Sequence, residues 1–263
     1  MTLHEKRVIT ALVGVPFLFG IIYFTPFWVF TILVLFAALA GLNEFYSMIR
    51  PKAAKKVIYS NYLLTALLFC SLLREGILYV SVFPLFVVLP LASFISSYSI
   101  HYPKMGDIGQ VVMGPFYICL PLAFLVLISR LPQGKMWVFF LLAVAFAGDT
   151  CSFYCGRLLG RHKLTRISPG KTWEGSFGGL TASIVSAGIL GYLFFPPLSM
   201  VSFMVLGVAI GISAQVGDLA ESMLKRIANV KDSGKILPGH GGILDRVDGL
   251  LFAIPVLYVY LSY

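Results

Sequence analysis

In a chain of 263 residues, 59% are hydrophobic, 12% are charged and the mean hydropathy is +0.91, far from the mixture of a water-soluble domain. The apolar runs show no period-two alternation, which excludes a transmembrane β-barrel and leaves an all-α, polytopic integral membrane protein. The net charge of +9 is informative mainly through where the cations sit.

A bilayer core of about 30 Å needs roughly 17 to 25 apolar residues per helix. In chain order, Val8 to Phe24, Thr25 to Asn43, Val57 to Leu73, Gly76 to Ile100 and Ile108 to Ser129 meet that requirement. Met136 to Gly156 meets it with Asp149 inside. The run from Gly175 to Gly217 is too long for one crossing, and Pro196-Pro197 divides it, because proline lacks an amide donor and disfavours helix in the residue before it. Gly249 to Tyr263 is short, so its helix is expected to begin back near Asp245. The expectation is about nine spans forming a single membrane domain, with 1–135 as N-terminal helices of uncertain role and 136–263 as the helices and cytoplasmic loops where any chemistry is expected. "MTLHEKRVITALVGVPFLFG" has the basic start of a signal peptide but no small-residue cleavage site, and reads as a retained first helix.

With the N-terminus in the cytoplasm, seventeen of the twenty Lys and Arg residues fall on cytoplasmic segments, and the positive-inside rule selects N-in, C-out. Two connections on that side are long and polar, Arg157 to Glu174 and Lys225 to Asp248, and loops on a rigid scaffold commonly carry function. Cys70, Cys119, Cys151 and Cys155 match no disulfide framework or zinc spacing and read as small packing residues. Glu44, near the cytoplasmic end of the second span, reads as a site residue or as a snorkelling or capping one.

Six of the eleven carboxylates, Asp149, Asp218, Glu221, Asp232, Asp245 and Asp248, gather at the last cytoplasmic helix ends and their loops. Asp218 and Glu221 share a helical face with Lys225, and Asp245 and Asp248 are likewise three apart. Each aspartate placed in a membrane helix costs on the order of 2.5–3.5 kcal/mol, so the group requires counter-charge. That is either an internal salt-bridge network with Lys225, Arg226 and Arg246 or a hard divalent cation. Gly234, Gly239, Gly241 and Gly242 permit close backbone approach, so consecutive amides can bind an anion among Lys225, Arg226, Lys231, Lys235, His240 and Arg246. "GKT" at Gly170 to Thr172 lacks the earlier glycine and the preceding strand of an ATPase loop, and is taken only to bring Lys171 and Thr172 near a phosphate. Gly156 and Gly160 fit a helix-packing seam.

"SMLKRIANVKDSGKILPGHGGILDRVD", Ser222 to Asp248, resembles the signature of the phosphatidate cytidylyltransferase (CDP-diacylglycerol synthase) family, and "DTCSFYCGRLLGRHKL" and "ISPGKTWEG" are similar to its preceding segment. Cys151, Cys155 and Gly170 depart from the family pattern in small ways. The resemblance implies a Mg²⁺-dependent membrane nucleotidyltransferase that joins CTP to phosphatidic acid, giving CDP-diacylglycerol and pyrophosphate. It also implies a homodimer among membrane lipid, no nucleic acid polymer as partner, and an active site on the cytoplasmic face of a bacterial inner membrane, and it leaves open whether a second, monovalent cation joins Mg²⁺.

On that footing Asp218, Asp245 and Asp248 are expected to hold the metal. Lys225, Arg226, Lys231 and His240, with the amides of Gly239, Gly241 and Gly242, are expected to take the CTP phosphates, and Asp232 and Arg246 join them as signature residues. Lys171, Thr172 and Arg157 are expected to neutralise the lipid phosphate or complete the nucleotide site, with Glu174 and Asp149 orienting them. An ion-coupled transporter is the alternative, but its site belongs near the midplane between repeats, whereas these charges crowd helix ends. A CDP-alcohol phosphotransferase would carry a longer Asp-Gly motif, and a lipid-binding scaffold gives no reason for the spaced aspartates.

Overall fold

A computed structural model describes residues 20–49, 51, 55–74, 78–97, 104–195, 199–234, 236 and 241–262. Among them every regular element is a helix, and Lys163 and Thr172 pair in an isolated bridge of extended backbone. The helices are α1 (Phe27–Ile49), α2 (Lys55–Leu72), α3 (Leu78–Val82), α4 (Leu85–Ser97), α5 (Met105–Gly114), α6 (Leu120–Arg130), α7 (Gly134–Leu159), α8 (Trp173–Phe194), α9 (Met200–Ile227) and α10 (Leu244–Ser262). Six of the stretches they form among the described residues are long and apolar enough to cross a membrane, as expected of backbone that must satisfy its own hydrogen bonds in hydrocarbon. The protein is an integral membrane protein.

Several boundaries follow the expected spans closely. The last helix starts at Leu244, ahead of the apolar run, and the long run from Gly175 is divided between α8 and α9. Within the expected span from Gly76 to Ile100, Tyr79–Ser96 is long and apolar enough to cross a membrane, with a turn at Phe83-Pro84 between α3 and α4. Most of the first expected span, the Pro196-Pro197 pair, and the candidate site residues Gly239 and His240 lie outside the described residues.

The described chain divides into two compact units. The first comprises residues up to Leu127 together with Asp232–Asp245. Its buried apolar side chains include Leu42 and Phe45 from α1, Leu64, Leu68 and Phe69 from α2, and Phe86 from α4. Between α5 and α6 the chain makes a π-helical turn, Pro115–Cys119. Pro115 has no N–H, so the Val111 carbonyl four residues earlier loses its helical donor. Two side chains replace it: Tyr46 Oη donates to Val111 O at 2.7 Å and Asn61 Nδ2 at 3.0 Å, and Asn61 also donates to Tyr46 Oη at 2.7 Å. The carbonyl orphaned by proline thereby ties α1 and α2 to α5.

The second unit, Ile128–Lys231 with Arg246–Tyr263, is built on small residues. Gly148, Ser152 and Gly156 on α7 meet Gly175, Gly179 and Ser183 on α8, each series at intervals of four. A methyl group on Gly179 would stand 2.8 Å from the Gly148 carbonyl oxygen, and one on Gly175 would stand 3.1 Å from Gly156 Cα. On the other side of α8, methyl groups on Gly207 and Gly211 of α9 would stand 2.9 Å from Ile184 Cα and Ser183 Cβ. Membrane helices gain little from apolar burial against each other, so close backbone contact of this kind supplies their cohesion. The aromatic residues Trp137, Phe195 and Phe203 stack at the ends of α7, α8 and α9 away from the charged segments, Trp137 and Phe195 at 3.9 Å between ring centres.

Candidate active site

Four polypeptide segments of the second unit carry charge to one place: the end of α7, the connection into α8, the end of α9 and the start of α10. The connection, residues 160–172, folds back on itself. Leu164 N donates to Lys171 O at 2.9 Å and Trp173 N to His162 O at 3.0 Å, beside the Lys163–Thr172 bridge. Glu174, in the first turn of α8, accepts from the His162 amide and pairs with His162 Nδ1 at 2.6 Å. Thr172 is the N-cap of α8, its Oγ1 accepting from Gly175 N at 3.1 Å, a standard answer to an orphan amide at a helix start. From α9, Arg226 Nε donates to the Ile167 carbonyl at 3.3 Å. The loop is therefore braced at three points, and it delivers Lys171 into an ion pair with Asp218 of α9.

The end of α9 is a Schellman motif. Asn229 adopts a left-handed φ of 55°, its amide donating to Arg226 O at 3.1 Å and that of Val230 to Lys225 O at 2.9 Å. One turn before it, the fully buried Glu221 pairs with Lys225 across an i,i+4 step. This part of the charge belongs to the internal salt-bridge reading.

The three remaining carboxylates behave differently. Asp149 of α7, Asp218 of α9 and Asp248 of α10 are near enough to repel one another, Asp149 lies within electrostatic reach of Lys171, and Asp248 within reach of Lys225. The close approach of α9 and α10 accounts for part of this. A methyl group on Gly217 would stand 2.5 Å from the Asp248 carbonyl oxygen and 3.1 Å from Gly249 Cα. Asp248 also accepts from Gly249 N at 2.8 Å. Three carboxylates from three helices, with two ammonium groups nearby, make a place where additional positive charge is favoured. Among the described residues no three His, Cys, Asp or Glu side chains converge tightly enough to enclose a cation on protein ligands alone.

Asp245 and the Gly-rich segment belong to the first unit, where the surroundings are amides rather than charges. The Asp245 carboxylate accepts from Ser233 N at 3.0 Å, Ser233 Oγ at 2.9 Å and Gly242 N at 2.7 Å, all through Oδ2. Gly241 has a φ of +78°, a conformation that glycine adopts without strain. Glu44, 3% exposed, accepts from Ile243 N at 3.0 Å, Leu244 N at 2.9 Å and Ser233 Oγ at 3.2 Å.

Of the residues expected from sequence, the structure thus gathers Asp149, Lys171, Asp218, Lys225 and Asp248. It engages Thr172, Glu174 and Arg226 in holding a loop, and leaves Arg157, Lys231, Asp232 and Arg246 exposed. It adds two residues that sequence reasoning did not place: Ser233, and the reciprocal pair partner Gln215, which clamps Ser176 of α8 from α9. A polar residue in an apolar run was the available signal for Gln215. All four cysteines are free thiols.

A family model described as "Cytidylyltransferase family" matches residues 5–263. The chain is 32% identical to a phosphatidate cytidylyltransferase of Synechocystis sp. over 287 residues, covering 97% of this chain and 95% of that protein. It is 32% identical to the chloroplastic phosphatidate cytidylyltransferase 5 of Arabidopsis thaliana, covering 96% of this chain and 71% of the relative. To the phosphatidate cytidylyltransferase of Bacillus subtilis it is 38% identical over 158 residues, 59% of each chain. Matched along nearly its whole length, with the charged helix ends and their two connections inside the match, the chain belongs to the cytidylyltransferase family.

Proposed function

We propose that this enzyme, a CTP-dependent nucleotidyltransferase by family, joins CTP to phosphatidic acid and releases pyrophosphate, at the cytoplasmic face of the membrane. The observation that carries the reading is the meeting of Asp149, Asp218 and Asp248 from three helices with Lys171 and Lys225 beside them. Supporting it are the names of relatives that align along most of the chain and the concentration of Lys and Arg on the segments that include these helix ends.

In the proposed reaction an oxygen of the lipid phosphate attacks the α-phosphorus of CTP. A new P–O bond forms, the bond from the α-phosphorus to the oxygen bridging to the β-phosphate breaks, and that oxygen leaves with the pyrophosphate. The second pKa of a phosphate monoester lies near 6, by analogy with phosphoserine, so the nucleophile is already ionised and no protein base is required. The work left to the protein is to hold two polyanions in line and suppress their repulsion. Lys171 and Lys225 offer ammonium groups for this, and the braced 160–172 loop fixes where the first of them stands.

The donor set suits Mg²⁺, which is commonly held by one or two carboxylates and completes its shell with water and substrate phosphates. Asp218 and Asp248 are assigned that role, with Asp149 beside them; for Asp245, one helical turn earlier on α10, the same role rests on the sequence signature alone. When bound, the ion would neutralise charge on the triphosphate.

The test is direct: purified protein is incubated with phosphatidic acid, Mg²⁺ and CTP labelled in the cytidine, and the lipid fraction is examined. The expected result is a labelled lipid formed with one equivalent of pyrophosphate and abolished by chelation. CTP binding without a labelled lipid would overturn the reading. In the same assay Asp245→Asn is expected to lose Mg²⁺-dependent turnover, and wild-type rates would remove Asp245 from the cation site.

A further inference from the structure

Glycines in the segment 231–242 invite the expectation that their backbone cradles an anion from outside. The structure shows that the protein already places one of its own there. A Cβ on Gly234 would collide with the Glu44 carboxylate, and so would one on Gly242. Both glycines are needed because a carboxylate from α1, almost two hundred residues earlier in the chain, occupies that space. Ile243 N, Leu244 N and Ser233 Oγ donate to it. Leu244 is the first residue of α10, so Glu44 satisfies orphan amides at the start of the helix that carries Asp245 and Asp248.

The hydroxyl of Ser233, a residue 7% exposed, stands between two carboxylates: 3.2 Å from Glu44 Oε2 and 2.9 Å from Asp245 Oδ2. A hydroxyl has one proton and donates to one acceptor at a time. While it serves Asp245 it helps hold that carboxylate in one orientation. When Asp245 takes a cation, Glu44 offers the proton an alternative acceptor, so the buried hydroxyl is never left without one.

We infer that Glu44 is a positioning residue: from α1 it holds the backbone around Gly234 and Gly242 and, through Ser233, sets the orientation of Asp245. This rests on the function proposed above and gives the N-terminal helices a part in it. Groups that orient metal ligands from behind typically change metal affinity or activity by about 10–100-fold when altered.

The experiment measures turnover against Mg²⁺ and against CTP for the wild type, Glu44→Gln, Ser233→Ala, the double variant and Leu64→Ala. Leu64 is buried in the same unit away from the turn and reports what loss of packing alone does. Glu44→Gln is expected to raise the half-saturating Mg²⁺ and the KM for CTP by about tenfold or more, with a smaller change in kcat. Ser233→Ala is expected to raise half-saturating Mg²⁺ similarly, and the double variant to fall well short of the product of the two effects, because both act through one hydrogen bond. Leu64→Ala is expected to lower only the amount of folded enzyme.

Wild-type Mg²⁺ and CTP dependence in both Glu44→Gln and Ser233→Ala, with losses that track folded protein as in Leu64→Ala, would overturn the inference. Should Glu44→Gln fail to fold, Ser233→Ala decides the kinetic question by itself. Should the wild type form no lipid from CTP, the proposed reaction fails rather than the positioning role, and amide hydrogen exchange over 233–244 decides the latter. Faster exchange there in Ser233→Ala or Glu44→Gln, with α1 and α2 unchanged, supports it; unchanged exchange overturns it.

Discussion

The two groups of carboxylates in this protein are held in opposite ways. Glu44 and Asp245 are met by amides and a hydroxyl, with five distinct donors between them: Ser233 N, Ser233 Oγ, Gly242 N, Ile243 N and Leu244 N. Asp149, Asp218 and Asp248 instead confront one another, with Lys171 and Lys225 as nearby cations. A carboxylate saturated by amides is content as it stands and fixes backbone. Carboxylates that repel each other store a preference for whatever positive charge arrives. The first group fixes the backbone that presents Asp245, and the second gathers charge that calls for a counter-ion.

Substitution of the second group is therefore expected to have a larger effect on kcat than substitution of Glu44 or Ser233. Asp218→Asn or Asp248→Asn should lower kcat by about 10³-fold, the loss of several kcal/mol of charge stabilisation at about 1.4 kcal/mol per decade. The Asp248→Asn protein should melt no lower than wild type, because repulsion is relieved; a lower melting point with normal turnover would dissolve the contrast. Next in size is Gly217→Ala, whose methyl would press on the Asp248 carbonyl. Displacing α10 by about 1 Å is expected to cost on the order of 10²-fold in kcat, measured in folded protein recovered by gel filtration.

Lys171→Met removes the partner of Asp218 and should raise the KM for one substrate by about 10-fold, the lower end of losses for a group that supports a site. Assays at varied CTP and varied phosphatidate identify which phosphate Lys171 serves. Asp149→Asn sharpens the comparison further: about a 10-fold rise in half-saturating Mg²⁺ is expected if it supports the cation site, and no rise would reduce the group to two. The smallest effect belongs to Gly170→Ala. Nothing lies within 4 Å of a methyl group there, so stability should change by less than about 0.5 kcal/mol, and activity should be retained although the residue stands in a "GKT" sequence.

Much of this organisation was legible before any coordinates. A bilayer demands long apolar runs, so the extent of α7 and the start of α9 could be read from where those runs start and stop, whereas α9 continues past Gly217 to Ile227 and α10 begins at Leu244, ahead of its run. The break at Phe83-Pro84 was less legible, because the flanking residues are uniformly apolar. Asp149 announced itself as a charge inside an apolar run, and Asp218 and Asp248 by their spacing from other charges. Glu44 could be noticed but not assigned, since its partners are 189 to 200 positions away in the chain and no local pattern encodes so distant a bond. For the same reason Gly234 and Gly242 could not be matched in advance to the Glu44 side chain that fills the space beside them. Thr172 was read as a phosphate contact because a lysine precedes it, whereas its place before an apolar helix also fits the N-cap it forms.

The seam of small residues between α7 and α8 has a mechanical corollary. Glycine and serine recur there every four positions on both helices, so intermediate offsets would drive backbone into backbone. Reseating the pair means a jump of a full helical pitch, about 5.4 Å. Asp149 directly follows one tooth of this rack, and Lys171 sits just ahead of the cap that begins the other helix. The gap between that acid and that base is thereby indexed like a gear setting, and only their side-chain torsions are left for fine adjustment.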